Sequence, residues 1–294
     1  MVHDKLREPS SRSRWIFLVL MTAIVLPSCA THADTSPCRI LLTNDDGIAA
    51  PGIDALYDSL GEICDVSLYA PAVNQSGSSH SVKNMFSGVR VSDVVAPDGV
   101  TGIAVHGTPA EAVIVGLALE TSEGREINLV VSGVNHGNNA GLTNLYSGTV
   151  NAAMEALIHG IPAVAFSQAM GLKKDYAVSA AFAQQLVSEV LARGLPEGVM
   201  LNVNIPAAPI KGVAVVTTSG STFDVDGFNL AVNEAGERIF KPNFILADST
   251  ETGGDADAFL NGMITVSPLL LDRTAGAVLG ALEDWDLSVD SEFE

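Results

Sequence analysis

The sequence predicts an α/β protein with a doubly wound, mostly parallel sheet and an extended β arm toward the C-terminus. Three observations lead there. Short apolar runs alternate with stretches of helical period, the pattern of repeated β-α-β units. Several of those runs end in polar, glycine-rich loops, as strands do when they deliver ligand-binding residues at their carboxyl ends. The 294 residues are 47% hydrophobic and only 17% charged, with 27 Gly, which supplies one substantial core and small residues that let helices approach a sheet closely.

The elements follow in chain order. Ile40-Leu41-Leu42 is a buried strand ending in Thr43-Asn44-Asp45-Asp46-Gly47. Ile53, Leu56, Tyr57 and Leu60 fall at i, i+3, i+4 and i+7, with Pro51 near the start and Gly61 at the end, so a helix comes next. Val66 to Ala70 completes the first β-α-β unit, with parallel strands and a right-handed crossover expected. Residues 70–80 form a loop, and 81–95 is weakly patterned. After a strand at Ile103 to Val105, Thr108-Pro109-Ala110-Glu111 carries a cap residue, a first-position proline and a third-position glutamate, the start of a helix through Leu119.

Ile127 to Val131 is the most apolar strand, opening into a Gly- and Asn-rich loop from Ser132 to Asn144. Tyr146-Ser147-Gly148-Thr149 leads into a helix from Val150 to His159. A strand at Pro162 to Ser167, a helix at Ala177 to Ala192 and a strand at Leu201 to Ile205 continue the alternation. Beyond Lys211 the helical period is lost: Val213 to Thr217 is strand-like, and 211–262 reads as the extended arm. Met263 to Val266 and Ala275 to Trp285 are expected as a last strand and a helix returning to the sheet.

Lys5, Arg7, Arg12 and Arg14 precede an apolar run from Trp15 to Leu26, then Pro27, Ser28 and Cys29, the order of a secretory signal. Residues 1–33 are therefore read as a signal peptide, and 39–294 as the functional domain. Cleavage before Cys29 would leave a lipid anchor on that residue; cleavage after Ala33 would release the chain. The expected location is exported and periplasmic, with a membrane tether in the first case. Cys38 and Cys64 each lie five residues before the end of a predicted strand. In an oxidising compartment, parallel neighbours about 4.8 Å apart would let them form a disulfide.

The formal charge is −19, and removing residues 1–28, which hold four basic and two acidic residues, takes it to −21. That balance disfavours a nucleic-acid polymer as partner. An acidic chain that binds phosphate needs a cation.

Three polar loops are expected on the carboxyl edge of the sheet, where ligands bind in open α/β folds. Asp45 and Asp46 leave the first strand, Ser76 lies in the loop after the second, and Asn135 follows the long apolar strand. Two carboxylates, a hydroxyl and an amide oxygen form a hard oxygen set suited to Mg²⁺, Mn²⁺ or Ca²⁺ rather than zinc. The ordinary alternative for Asp45-Asp46-Gly47 is a turn with a helix cap. Ser147-Gly148-Thr149 before a helix offers N–H groups and hydroxyls to an anion, a phosphate cradle whose ordinary alternative is a Ser/Thr cap. His80, His106 and His136 show no metal-type spacing or Ser-His-Asp order, and Glu111 is explained by capping.

With these residues in view, the chain resembles the SurE survival-protein family of metal-dependent 5′/3′-nucleotidases. The resemblance lies in Ile40 to Gly52 (ILLTNDDGIAAPG), Ala70 to His80 (APAVNQSGSSH), Gly107 to Glu111 (GTPAE) and Val130 to Glu155 (VVSGVNHGNNAGLTNLYSGTVNAAME). It implies a Rossmann-like core, an arm used in homodimers or homotetramers, and hydrolysis of nucleoside monophosphates with one divalent metal, Mg²⁺ or Mn²⁺, per subunit. By position, Asp45, Asp46, Ser76 and Asn135 correspond to metal ligands. Asn44 would face the substrate phosphate, and Ser147, Gly148 and Thr149 would line its pocket. The chain departs from the family in three places: Leu142-Thr143-Asn144 stands where an acidic pair is usual, Glu111 replaces Asp, and Thr217-Thr218-Ser219-Gly220 lacks an Arg-Gln-Gly pattern.

The mechanism expected from this set has the metal polarise a phosphoryl oxygen and activate a water, with Asp45 and Asn44 as catalytic groups. Asp45 as base or as nucleophile stays open. Two other functions fit the same residues: a broad acid phosphatase or exopolyphosphatase, and a non-catalytic exported nucleotide-binding protein.

Overall fold

The computed structural model describes residues 38–95, 100–170, 175–207, 209–247, 253–285 and 287. The chain divides between Ser36 and Pro37, and the fold below is that of the second unit. The expected signal peptide, both of its cleavage sites and Cys29 lie outside the described residues.

The elements run β1 (Arg39–Thr43), α1 (Pro51–Gly61), β2 (Asp65–Pro71), β3 (Val91–Val95), β4 (Thr101–Val105), α2 (Pro109–Ser122), β5 (Leu129–His136), a 3-10 turn (Leu142–Leu145), α3 (Gly148–Ile158), β6 (Ala163–Gln168), α4 (Ala177–Arg193), β7 (Val199–Ile205), β8 (Gly212–Val215), β9 (Phe223–Val232), β10 (Arg238–Leu246), α5 (Asp255–Leu260), β11 (Met263–Leu270) and α6 (Gly276–Glu283). The main sheet has the order β3-β4-β2-β1-β5-β6-β7-β11-β8. From β4 through β7 every pairing is parallel. β3 is antiparallel to β4, β11 is antiparallel to β7, and β8 runs parallel to β11. The chain winds outward from β1 toward β2 on one side and resumes on the other side at β5. The crevice at the carboxyl ends of β1 and β5 is therefore the topological switch point, the expected ligand position in such a sheet.

β1 is buried on both faces, which is why it reads as an unbroken apolar run. Ile40 and Leu42 pack with Ile53, Leu56 and Leu60 of α1 and with Val187 and Val190 of α4. Leu41 faces the other layer, with Val113 and Leu117 of α2 and Val150 and Met154 of α3. α2 starts with the expected capping box: Thr108 Oγ1 accepts from Glu111 N–H, and the Glu111 carboxylate accepts from Thr108 N–H at 2.9 Å. Its Gly116 is a contact requirement, since a Cβ there would lie 2.6 Å from Leu41 Cδ1 and 2.8 Å from the Tyr69 ring.

The β1–β2 register pairs Arg39 with Asp65, so Cys38 and Cys64 stand side by side one residue earlier. They form the expected disulfide, with Cα atoms 5.0 Å apart. It sits at the amino ends of the two strands, the edge opposite the switch point.

Three features differ from the sequence reading. β5 continues through Ser132–His136, residues read as loop, and its pairing with β6 shifts register between Ser132 and Asn135. The stretch 211–262 resolves into separate parts: β8 joins the main sheet, β9 and β10 form an antiparallel hairpin, and α5 packs beside β11. α6 buries none of its residues, so it does not return to the sheet as expected. Its apolar side chains Val278, Leu279 and Leu282 are exposed.

Candidate active site

β1 ends in a tight turn fixed by its own side chain. Asn44 is fully buried; its Oδ1 accepts from Gly47 N–H at 3.1 Å and its Nδ2 donates to Gly47 O at 2.9 Å. Gly47 has φ +103°, a left-handed conformation that glycine adopts without strain. α1 begins later, with Ala50 as its N-cap and no capping side chain, so neither Asp45 nor Asp46 serves as its cap. Asn44 thus shapes the loop that carries the carboxylates, and one N–H of its amide is left over.

Asp45 is only 2% exposed and lies against the start of α3. Thr149 Oγ1 donates to Asp45 Oδ1 at 2.5 Å, and the Thr149 backbone also bonds the carboxylate. A Cβ on Gly148 would stand 2.8 Å from Asp45 Cβ, 3.0 Å from Asp45 Oδ2 and 2.8 Å from Ser78 Oγ. Only glycine allows this approach. Ser147 is the N-cap of α3, accepting from Val150 N–H at 3.1 Å. The segment read as a phosphate cradle is therefore brought to the site with its Thr hydroxyl committed to Asp45 and its Ser oxygen committed to the helix end.

Asp46 is held from the loop after β2 and from the end of β5. Asn74 Nδ2 donates to its Oδ1 at 3.2 Å, and His136 N–H donates to its Oδ2 at 2.9 Å. Ser76 is exposed in the same loop as Asn74, whose Oδ1 accepts Ser76 N–H at 3.0 Å, and Gln75 N–H binds Asp45 O at 2.7 Å. Asn135 directs its Nδ2 to Gly137 O at 2.8 Å, which leaves Oδ1 as a free acceptor beside His136. The end of β1, the loop after β2 and the end of β5 thus meet at the switch point, as their positions in the sequence require.

The electrostatics of this group are those a bound cation would relieve. Burial, above all, raises the Asp45 carboxyl above the ordinary carboxylate range; the Thr149 hydrogen bond opposes this, and the Asp46 charge adds to it. Among the described residues no ion pair engages either aspartate. Two adjacent carboxylates with no positive partner are costly unless an ion joins them. No cluster of three or more His, Cys, Asp and Glu gathers among the described residues, so neutral oxygens would have to complete a ligand set. The oxygens of Asn135 and Ser76 are of the type a hard divalent ion takes.

Other predicted candidates have local partners. His80 Nε2 lies 2.6 Å from Glu155 Oε2, and His159 Nε2 lies 3.2 Å from Glu155 Oε1. His106 meets Arg90 and Ser92. Sequence reasoning missed Asn74, which positions Asp46, and Ser78, a buried hydroxyl without a partner next to Gly148. The cluster Ser76-Gly77-Ser78-Ser79 was the available signal for Ser78. It also missed Asp255, whose Oδ1 accepts from Gly141 N–H and Ser219 N–H at 3.0 Å each, tying the loop before α3 to the root of the hairpin.

The sequence profile described as "Survival protein SurE" matches residues 40–224. The chain is 40% identical over 259 residues to a protein of Geobacter sulfurreducens named 5′-nucleotidase SurE, covering 85% of this chain and 94% of that protein. A protein of the same name from Geobacter metallireducens is 40% identical over 255 residues, covering 85% and 98% respectively. The crystal structure of the SurE protein from Aquifex aeolicus superposes with a TM-score of 0.72 at 34% identity, over 84% of this chain and all of that one. On this agreement of sequence and fold, the chain belongs to the SurE survival-protein family.

Proposed function

We propose that the protein is a metal-dependent phosphomonoesterase that hydrolyses nucleoside 5′-monophosphates, and 3′-monophosphates with them, to nucleoside and phosphate. The observation that carries this reading is the pair Asp45 and Asp46 at the switch point, with the N-terminus of α3 directed at Asp45. Relatives that share 40% of their residues with this chain are named 5′-nucleotidases.

Asp45, Asp46, Ser76 and Asn135 would hold one Mg²⁺ or Mn²⁺. Such an ion, when bound, neutralises the carboxylate pair, polarises a phosphoryl oxygen and lowers the pKa of water. The chain's own groups do the rest. Asp45, held by Thr149, would stand between cation and phosphate. The Gly148 N–H, the Ser147 hydroxyl hydrogen and the remaining N–H of Asn44 are donors for the charge that grows on the phosphoryl oxygens. Gly148, having no side chain, leaves that approach open.

The same reading takes the protein as exported, by a signal peptide within 1–33, with either a lipid on Cys29 or release after Ala33; mass spectrometry of the mature N-terminus separates the two. It also takes the protein as a homodimer or homotetramer joined through the exposed hairpin. The decisive experiment incubates purified protein with nucleoside monophosphates, an aryl phosphate and polyphosphate, with and without Mn²⁺. Metal-dependent release of phosphate from the nucleotides is expected, and full activity after exhaustive chelation would overturn the metal assignment. Binding of nucleotide without any turnover would overturn the enzyme reading.

A further inference from the structure

The loop after β2 brings two groups to the candidate site: Asn74, which positions Asp46, and Ser76, whose side chain is exposed. Neither residue belongs to a strand or a helix, so their placement depends on what anchors the loop. At its near end Ala72 N–H donates to Val105 O at 2.8 Å and Gln75 N–H to Asp45 O at 2.7 Å. Beyond Ser76 the loop reaches α3 twice. Ser79 N–H donates to Tyr146 O at 3.2 Å, just ahead of the N-cap, and His80 Nε2 lies 2.6 Å from Glu155 Oε2.

Between these contacts the backbone is held in an unfavourable conformation. Ser79 has φ 52°, and among the described residues it alone of the non-glycines has a positive φ. A residue with a Cβ persists in that region only where its surroundings over-determine it. The Tyr146 and Glu155 contacts on either side of the Ser79 Cα are what holds it.

Glu155 is buried on α3, and its ion-pair partners among the described residues are two imidazoles, His80 and, at 3.2 Å, His159. Their roles differ. His159 is one turn further along the chain from Glu155, so its contact ties that segment only to itself, whereas His80 joins parts of the chain 75 positions apart. A hydrogen bond to a buried carboxylate is among the stronger ones a protein makes. The same helix holds Asp45 through Thr149, and Asp45 in turn holds the loop through Gln75. His80 therefore closes a ring that runs from the loop through Asp45 and α3 back to the loop.

We propose that His80 is a positioning residue for the metal centre: through Glu155 it fixes residues 76–80 on α3, and so holds the Ser76 hydroxyl in register with Asp45 and Asp46. The assignment rests on the metal reading of the site given above. It gives the strained turn at Ser79 a purpose, since a relaxed backbone there would carry His80 away from Glu155.

The test uses the full chain and three variants at side chains that are partly exposed: His80→Ala, His80→Gln and His159→Ala. Two quantities are read: Mn²⁺ affinity by calorimetric titration, and amide hydrogen exchange of residues 76–80 in metal-free protein. His80→Ala should weaken Mn²⁺ binding about tenfold, the scale of removing a group that orients a metal ligand. It should also speed exchange across 76–80 about tenfold, the scale of one lost hydrogen bond to a charged group. His80→Gln keeps an N–H donor for Glu155 and should recover most of both losses. His159→Ala takes the other imidazole from the same carboxylate without touching the loop, and should leave both readouts within about twofold of the parent. Parent-like Mn²⁺ affinity or parent-like loop exchange in His80→Ala would overturn the proposal and leave the metal reading standing. Equal losses in His159→Ala would also overturn it, by placing the effect in Glu155 and α3 rather than in the loop. Failure of the parent protein to take up Mn²⁺ would overturn the metal reading and this proposal together.

Discussion

Asp45 occupies the position that an external anion takes at many helix N-termini: the Thr149 backbone and hydroxyl bind its carboxylate, and Gly148 leaves room for it. The sequence made Ser147-Gly148-Thr149 legible as an anion site, but residue order cannot say which anion arrives, the protein's own or a substrate's. The family resemblance placed Asn44 toward phosphate; its Oδ1 and one N–H are spent on Gly47, which leaves the other N–H for that role. Asp45 and Asp46 stood out as candidates in the sequence, because two carboxylates at a strand's carboxyl end have few structural uses. Asp45→Asn should reduce turnover by about 10²- to 10³-fold, the scale of losing one transition-state contact in a buried site. Without metal, the same variant should unfold at higher urea than the parent at pH 7, since it removes a buried charge beside another. Steady-state kinetics and urea titration check both, and a near-parent rate would remove Asp45 from its role.

Among the elements, β1 and β2 were the most legible, because a strand buried on both faces must be apolar throughout and its end must then be marked by polar residues. β5 was only half legible: Ser132–His136 is polar enough to look like loop, yet buried pairing with β6 keeps it a strand. The matched positions of Cys38 and Cys64 carried the disulfide because register along parallel strands follows directly from residue count. With its cysteines 26 positions apart in the sequence, the bridge is expected to contribute about 3.5 kcal/mol. Urea unfolding with and without reductant should show that loss, with kcat unaffected because the bridge lies at the opposite edge from the site. Tyr69, at the far end of β2, makes a second test. Burial, helped by its hydrogen bond to Glu120, pushes its hydroxyl up to about 12 from 10.0. The fold therefore holds that proton more tightly than the unfolded chain does. Stability from this group is intact below pH 10 and declines as pH rises toward 12. Tyr176, raised by burial and by the Asp46 charge, adds to the same decline. Tyr69→Phe should flatten part of it, measured as unfolding free energy against pH; an identical slope would contradict the assignment.

At the scale of the whole molecule, the site and the hairpin are physically joined at the hairpin's root and independent at its tip. Asp255 ties Gly141 to Ser219, Leu142 N–H binds Gly220 O at 2.8 Å, and Thr222 Oγ1 donates to Asn138 Oδ1 at 2.8 Å. These contacts fix the loop that leads through Ser147 to Gly148. Beyond the root, β9 and β10 pair with each other alone and expose Phe228, Leu230, Phe240 and Phe244, an apolar ribbon of the kind a two-stranded hairpin does not sustain alone in water. The turn-rich stretch predicted an extended β arm over 211–262, and the hairpin is that arm; its two strands were not separable in the sequence, because a ribbon exposed on both faces carries no internal apolar period. Replacing residues 224–245 by a short Gly-Ser turn should therefore convert an oligomer into a monomer in sedimentation analysis while kcat stays within about threefold, since the root and Asp255 remain. Asp255→Ala should do the reverse, keeping the oligomer while lowering kcat about tenfold through the loosened loop, a loss of the size that misplacing a supporting group produces. If the hairpin-deleted protein sediments as the parent does, the ribbon is not the assembly surface. If Asp255→Ala leaves kcat untouched, the root does not position the site.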